Sequence, residues 1–276
     1  MLRRLFPRAG KEMPTVPTVG GVPARLPAGV RVYAIGDIHG RLDLLQAVER
    51  QIVEDAAAGA PDLERIVVYI GDYVDRGFES RRVIEHLITK PLPGFRPVYL
   101  LGNHDIWLRD FARGVDVADS WLRFGGDATL FSYGVPLDLQ RPEAERYQLA
   151  QARLQEKIPP SHLDFLDGLE LAFGLGDYFF CHAGIRPDVP LEEQGQADLV
   201  WIREPFLSWN GDAGKVIVHG HTVEEHPVVR PNRIGIDTGA CWTNRLTCLV
   251  LEGESWRFLA TSAAGRPSGP RPAGLT

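Results

Sequence analysis

The chain has 276 residues, a length that suits one large domain or one domain with an appendage. A formal net charge of -6 argues against a general nucleic-acid binder, because such proteins usually carry a basic surplus. No apolar run approaches the roughly 20 residues that span a bilayer, and no secretory signal is evident. We therefore expect a cytoplasmic protein without stable membrane insertion.

Strands and helices are predicted to alternate through the first hundred residues. Residues 1–29 are proline-rich and predict an extended leader. Beyond them, short apolar runs predict buried strands, and apolar residues at helical spacing follow the first two runs. Alternation at this pace is typical of βαβ units with parallel pairing. The predicted elements are strands at 30–36, 65–71 and 96–101 and helices at 41–58 and 79–90.

The rest of the chain predicts a helical segment and then mainly strands. Residues 111–160 indicate a small helical cap, and a glycine-rich tetrapeptide at 174–177 indicates a β-hairpin. His162, near the start of a short helix, is interpreted as a surface residue. Residues 263–276 are rich in Pro, Gly, Ala and Ser and predict a disordered tail. These patterns together favour two packed sheets with helices outside, and one domain over 30–262.

Side chains that can bind metal follow the predicted strands. Asp37, Asp72 and Asn103 each come directly after a glycine at a strand end. The carboxyl ends of parallel strands share one sheet edge, where open α/β folds bind their ligands. Two further histidines, His182 and His221, also follow apolar runs. We therefore expect a metal centre at this edge, with Asp72 able to bridge two ions.

The types of ligand restrict the metal and the chemistry. His39 stands two residues after Asp37, so the imidazole and the carboxylate can face one ion. Nitrogen and oxygen donors without thiolates favour Mn²⁺, with Fe or Zn²⁺ as alternatives, over Ca²⁺. Two such ions about 3.5–4 Å apart would generate a bridging hydroxide near neutral pH. We expect two divalent metal ions and hydrolysis of a phosphoester.

Two arginines and one histidine complete the candidate site. Arg76 and Arg203 each present a planar fork that matches phosphate oxygens. His104 follows Asn103 and is placed to protonate a leaving alkoxide, with Asp75 orienting it. The alternatives are structural: Arg76 in an ion pair with Asp75, Arg203 in a surface pair, and His104 as an ordinary helix N-terminal residue.

The motifs and their order resemble those of the metallophosphoesterase superfamily. More narrowly, the chain looks like the PPP-type serine/threonine protein phosphatases in their short bacterial form. The resemblance covers about residues 30–250. The matching blocks are Gly-Asp-Ile-His-Gly at 36–40, Gly-Asp-Tyr-Val-Asp-Arg-Gly at 71–77, Gly-Asn-His-Asp at 102–105, His-Ala-Gly at 182–184 and Gly-His-Thr at 220–222.

The resemblance implies an α/β fold (α+β by some schemes), a four-layer α/β/β/α sandwich of two mixed sheets flanked by helices. It implies that Asp37 and His39 bind the first metal, and that Asp72 bridges. It implies that His104 is the general acid, paired with Asp75. The other implied ligands of the second metal are Asn103, His182 and His221. The residues implied to contact substrate phosphate are Arg76, Arg203 and Asn103.

Departures from the family pattern bear on specificity. Asp105 replaces the usual Glu of eukaryotic members, and their C-terminal signature is absent, so no eukaryotic-type regulatory subunit is expected. Val223 occupies the place where cyclic-nucleotide phosphodiesterases carry a second histidine, which disfavours that activity. His219 is a weak candidate for a substitute ligand, because it falls on the strand side of His221.

The sequence therefore predicts a metal-dependent phosphomonoesterase whose partner is a phosphoprotein or phosphopeptide, with Ser/Thr or Tyr selectivity left open. The alternative is a symmetrical bis(5'-nucleosyl)-tetraphosphatase that produces ADP. A phosphopeptide-binding pseudo-enzyme is disfavoured, because each expected ligand and the acid are present.

Overall fold

Two five-stranded β-sheets pack face to face in the computed structural model, which describes residues 15–261. The strands follow the predicted positions closely in the first half of the chain. In chain order they are β1 (Thr18–Val19), β2 (Val22–Pro23), β3 (Val30–Ile35), β4 (Glu64–Tyr69), β5 (Arg96–Tyr99), β6 (Ala172–Leu175), β7 (Tyr178–Cys181), β8 (Val216–His219), β9 (Val228–Val229), β10 (Arg233–Gly235), β11 (Thr247–Glu252) and β12 (Ser255–Ala260).

Helices cover the outer faces of the sheets. Two of them connect the parallel strands β3, β4 and β5, as the alternating pattern predicted. The α-helices are α1 (Leu42–Ala58), α2 (Ser80–Thr89), α3 (Asn103–Ala112), α4 (Ala118–Trp121), α5 (Asp127–Ser132), α6 (Glu143–Lys157), α7 (Pro160–Asp167), α8 (Gln196–Trp201) and α9 (Ala240–Thr243). A π-helical turn, Leu122–Gly126, joins α4 to α5.

Both sheets are mixed. The first has the order β12-β11-β3-β4-β5, with β11 antiparallel to β3 and to β12. The second has the order β6-β7-β8-β10-β9, with β7, β8 and β10 parallel. The predicted hairpin is formed by β6 and β7, in antiparallel register. Since parallel strands from both sheets end on the same side, their following loops meet at one edge.

Alternation along β3 shows how the layers are held together. Val32 and Ala34 face the second sheet and pack in the core between the sheets. Tyr33 and Ile35 face the other way and pack with α1 and α2. Successive side chains of a strand point to opposite faces, so one strand can serve two cores. The predicted α/β class, with mixed sheets flanked by helices, is confirmed.

Part of the predicted leader packs into this body. Residues 15–29 include the hairpin of β1 and β2, and Ala24 and Leu26 are buried in the core between the sheets. The Leu26 N–H also donates to the Gly253 carbonyl. The leader is therefore integrated over its described part. Residues 1–14 and the predicted tail lie outside the described residues. Within 15–261, none of the helices combines the length and the apolarity needed to cross a bilayer.

Candidate metal centre and active site

The loops after β3, β4, β7 and β8 are tied to one another at the shared sheet edge. The N–H groups of Ile38 and His39 both donate to the Asp72 carbonyl, at 3.1 and 2.8 Å. The Gly220 N–H donates to the His182 carbonyl at 2.8 Å. These bonds bring residues from distant parts of the chain into one buried cluster.

Asp72 lies between two groups of possible metal ligands. Its Oδ2 is 3.5 Å from His39 Nε2 and also 3.5 Å from His182 Nε2. One group contains His39 and His104 and the other contains His182 and His221, and Asp72 belongs to both. A carboxylate in this position can bind two neighbouring cations at once.

Hydrogen bonds to the other ring nitrogen orient two of the imidazoles. His39 Nδ1 lies 2.8 Å from the Val74 carbonyl and His182 Nδ1 lies 3.0 Å from the Ile70 carbonyl. A carbonyl only accepts, so each Nδ1 carries the proton and each Nε2 keeps its lone pair. This is the tautomer that a metal-binding histidine needs, with the second nitrogen held by the backbone.

The lone pairs gathered here fit a divalent cation. His182 Nε2 lies 3.0 Å from Asn103 Oδ1. Because the His182 proton is on Nδ1, both of these atoms are acceptors and no hydrogen bond joins them. His221 Nε2 is buried and has no hydrogen-bond partner among residues 15–261. Burying unpaired acceptors is costly, and a bound cation removes that cost. Asn103, His182 and His221 could therefore hold a metal together with Asp72.

Asp37 lies beside this cluster rather than within either group. Both of its carboxylate oxygens accept the His221 N–H, at 3.1 and 3.3 Å. Gly220 makes this approach possible, because a Cβ there would lie 2.0 Å from Asp37 Oδ1. Burial raises the pKa of the Asp37 carboxyl well above its usual range, and the charges of Asp237 and Asp72 raise it further. A bound cation would reverse that electrostatic cost.

Asp237 is a site residue that our sequence analysis did not identify. Its Oδ1 accepts the Gly239 N–H at 2.9 Å, whereas its Oδ2 is buried without a partner among the described residues. Burial raises the pKa of this carboxyl to about 6. Asp237 follows β10 closely, so the pattern of a polar residue after a strand could have found it.

His104 and Asp75 form a short hydrogen bond. His104 Nδ1 lies 2.5 Å from Asp75 Oδ2, and the Trp121 indole N–H donates to the same oxygen at 2.8 Å. The Thr129 hydroxyl donates to the other oxygen at 2.6 Å. The bond to Asp75 leaves His104 Nε2 facing the metal-ligand cluster, 4.0 Å from Asp72 Oδ2.

The environment favours a neutral imidazole in this pair. Burial lowers the pKa of His104 to about 3 and raises the pKa of Asp75 to about 7. Both pKa shifts favour the uncharged form of the side chain. For Asp75, however, the hydrogen-bond donors around the carboxyl determine its protonation state. The Trp121 indole N–H and the Thr129 hydroxyl each donate to one of its oxygens, which is the surrounding of an ionised carboxylate. His104 therefore carries its proton on Nδ1, and a nearby anionic substrate would favour a second proton on Nε2.

Arg76 points into the site and does not pair with Asp75. Its guanidinium lies 2.6 Å from His39 Nε2 and 3.2 Å from His104 Nε2, and it packs 4.7 Å from the Trp242 ring centre. This excludes the structural ion pair that was the alternative for Arg76. It leaves the arginine fork beside the metal-ligand cluster.

Arg203 also acts on the site electrostatically. Its charge lowers the pKa of His104 and of His221, although burial is the largest cause in both cases. Among the described residues Arg203 forms no ion pair with Glu204, whose Oε2 accepts from the Ser208 hydroxyl at 2.5 Å. The surface pair considered for Arg203 is therefore not formed.

Asp105 has a role that the sequence analysis missed. Its buried carboxylate accepts three backbone N–H groups, from Gly102 at 3.0 Å, Asp72 at 2.8 Å and Tyr73 at 3.0 Å. It therefore holds the start of α3 against the loop after β4. This contact keeps Asn103, His104 and Asp72 in a constant arrangement.

Backbone strain is concentrated at the same residues. Of the seven non-glycine residues with positive φ within 15–261, five are predicted site residues. Such conformations cost free energy and persist where the surrounding structure determines them, typically at functional sites. The five are His39, Asp72, Asp75, Arg76 and His221.

His219, Cys181 and His162 lie outside the two groups of possible metal ligands found within 15–261. His219 is buried, its Nδ1 lies 3.1 Å from the Gly220 carbonyl, and burial lowers its pKa to about 4. Its Nε2 has no partner among the described residues, but the side chain belongs to neither group of possible ligands. Cys181 is fully buried, which raises its thiol pKa. The surface position predicted for His162 is wrong: the ring is fully buried, with Nδ1 at 2.7 Å from the Tyr133 hydroxyl and Nε2 at 3.0 Å from Glu85.

A sandwich of mixed sheets with a buried Asp/His centre at one edge defines a metal-dependent phosphoesterase. Residues 30–244 match the calcineurin-like phosphoesterase family, and the chain belongs to it. The expected superfamily and the hydrolase class are thereby confirmed. The family implies divalent metals, and the donor groups described above fit them.

Within this family, the chain is similar to proteins named as dinucleoside tetraphosphatases. A curated relative from Bacillus thuringiensis (strain Al Hakam), the asymmetrical bis(5'-nucleosyl)-tetraphosphatase PrpE, is 29% identical over 234 residues, covering 78% of this chain and 88% of the relative. A crystal structure of a proposed diadenosine tetraphosphatase superposes with a TM-score of 0.58 at 22% identity, covering 91% of this chain and 99% of that one.

The likeness to protein phosphatases is one of fold. A serine/threonine phosphatase from Saccharomyces cerevisiae superposes with a TM-score of 0.50 at 14% identity, covering 87% of this chain and 82% of that one. The narrower resemblance to PPP-type phosphatases therefore concerns the architecture and gives no information on the substrate.

Proposed function

We propose that this protein is a metal-dependent bis(5'-nucleosyl)-tetraphosphatase that cleaves off-centre, giving a nucleoside triphosphate and a nucleoside monophosphate. The observation that carries the proposal is the similarity to asymmetrical bis(5'-nucleosyl)-tetraphosphatases over 78% of the chain. It supports the alternative from the sequence analysis over the phosphoprotein substrate. It also supports a different product pattern from the ADP expected there.

The metal roles follow the placement of the ligands. Asp72 would bridge two ions, with Asp37 and His39 on one side. Asn103, His182 and His221 would complete the other side. Bound divalent ions would activate water and neutralise phosphate charge, and Mn²⁺ is the ion we expect.

Other residues would bind the phosphate chain and handle the leaving group. Arg76 and Arg203 would contact phosphate oxygens, since both place a positive charge beside the ligand cluster. His104 would hold a proton on Nε2 and give it to the leaving phosphate oxygen. Asp75 would keep His104 in the required tautomer through the 2.5 Å bond to Nδ1.

Purified protein supplied with Mn²⁺ tests the substrate. Diadenosine tetraphosphate, a phosphoserine peptide and p-nitrophenyl phosphate should be compared at equal enzyme concentration, with nucleotide products separated by anion exchange. We expect ATP and AMP in equal amounts from diadenosine tetraphosphate, at a higher kcat/KM than for either monoester. ADP as the main nucleotide product would show central cleavage. A phosphopeptide preferred over the dinucleotide would restore the phosphoprotein assignment.

A further inference from the structure

Three aromatic side chains from different parts of the chain form one cluster, which we call the aromatic wall: Trp107, Phe124 and Trp201. The Trp107 and Phe124 rings stack with their centres 5.5 Å apart and their planes 17° apart. Trp107 meets Trp201 edge to face, at 4.9 Å and 69°. The residues come from α3, the π-helical turn and the end of α8, so only the tertiary structure assembles them.

Both ends of the aromatic wall touch the candidate site. The Trp107 ring lies 5.0 Å from the His104 ring, edge to face. The Trp201 ring lies 6.5 Å from the His221 ring, also edge to face. A planar group resting on the wall would therefore lie directly beside the place where phosphate is bound.

The wall is more open to solvent than core packing requires. Phe124 is 38% exposed and Trp201 is 39% exposed, whereas the core aromatic residues Trp121 and Phe111 are almost fully buried. Exposed aromatic rings next to a charged centre lose hydrophobic stabilisation. They do offer π faces to a ligand.

The charge next to the wall suits a nucleotide. The Arg76 guanidinium lies 3.2 Å from His104 Nε2, on the same ring that Trp107 meets edge to face. An aromatic ring of the wall and a guanidinium therefore both border the His104 ring. A nucleotide offers the matching pair, a flat base and a phosphate joined by a single sugar.

We propose that the aromatic wall is a stacking platform for one nucleobase of the substrate. This inference rests on the proposed function and names the part of the substrate that the protein recognises. Stacking on aromatic side chains is available to every base, because every base has a π face. With a base on the wall, the phosphate nearest its ribose lies at the histidines, which fits off-centre cleavage. A phosphoserine peptide presents no such base.

Truncation of the wall tests the proposal. Phe124→Ala and Trp201→Ala should each raise the KM for diadenosine tetraphosphate about tenfold, since loss of one aromatic platform weakens base binding by that order. Inorganic tripolyphosphate, a competitor without a base, should keep its inhibition constant. Trp201→Phe should retain most of the affinity. Phe131→Ala, which removes an exposed phenylalanine outside the wall, is the matched control.

The outcomes separate the platform from the proposed function. An unchanged KM in both alanine variants overturns the platform while leaving the tetraphosphatase assignment intact. A parallel loss of tripolyphosphate affinity also overturns it, because the wall would then act by supporting the metal centre. If the wild type does not turn over diadenosine tetraphosphate, the proposed function fails. Calorimetry with ADP then decides the platform: binding that Phe124→Ala removes supports it, and no binding overturns it.

Discussion

The sheet edge and the helical segment at 111–160 both border the site, yet they are built differently. The sheet edge supplies buried polar side chains on short strained loops, such as Asp72 and His221. The helical segment supplies no metal ligand in the two groups found within 15–261. Instead, its Trp121 and Thr129 hold Asp75, and its Gly125 carbonyl accepts the Arg76 N–H at 3.0 Å.

This difference indicates that the two regions have separate roles in the site. We propose that the loops at the sheet edge govern metal binding and that the helical segment governs how the acid and the substrate are placed. Substitutions at the edge should therefore change metal content. Substitutions in the helical segment should change turnover or substrate affinity with metal content preserved.

The largest effect is expected at Asp72. Asp72→Ala removes the carboxylate that both ligand groups share, so both metals and all measurable activity should be lost. Elemental analysis after dialysis, with turnover measured on the same sample, checks this. Asp43→Ala removes an exposed carboxylate paired with Arg41 and serves as the control. Retention of one metal per chain would show that Asp72 does not bridge.

His104 should separate catalysis from metal binding. His104→Asn should lower kcat by a factor of about 10²–10⁴, the usual contribution of a general acid. Metal content should remain that of the wild type, because the proposed function assigns the Nε2 of His104 to the leaving group and both ions to other ligands. A variant that loses metal and keeps its activity per bound metal would make His104 a ligand and not the acid.

Thr129 tests the contribution of the helical segment. Thr129→Val removes the hydroxyl that donates to Asp75 at 2.6 Å, and we expect kcat to fall roughly tenfold, as when the partner of a site residue is removed. KM and metal content should not change. Thr129→Ser keeps the hydroxyl and should restore kcat. If serine fails to rescue, packing of the methyl group is the cause and the hydrogen bond is not.

The smallest effect concerns stability and His162. Burial lowers the pKa of this imidazole below its usual value near 6.5. The unfolded chain then binds more protons than the folded one as pH falls through that value, so the contribution to stability is lost toward acid pH. Urea unfolding between pH 7.5 and about 5 should show a steeper decline for wild type than for His162→Gln. Equal slopes would mean that the Glu85 contact compensates for burial.

The sequence by itself determined the strands and helices of the first βαβ units and most of the candidate ligands. A strand followed at once by Asp, Asn or His is a local pattern, and parallel strands bring their ends to one edge whatever the rest of the fold. Asp37, Asp72, Asn103 and His182 were found in this way. His219 was a weak candidate because it falls on the strand side of His221.

Only the tertiary structure decided what holds and surrounds these residues. The partners of Asp75 lie 46 and 54 residues away, and His162 is buried by a contact 29 residues away in sequence. The aromatic wall joins three separate helical segments. Such contacts depend on how helices pack against one another, and side-chain packing across distant segments leaves no periodic trace in the sequence. A ligand at a strand end is recognisable in the sequence, because it directly follows the apolar run of the strand that positions it.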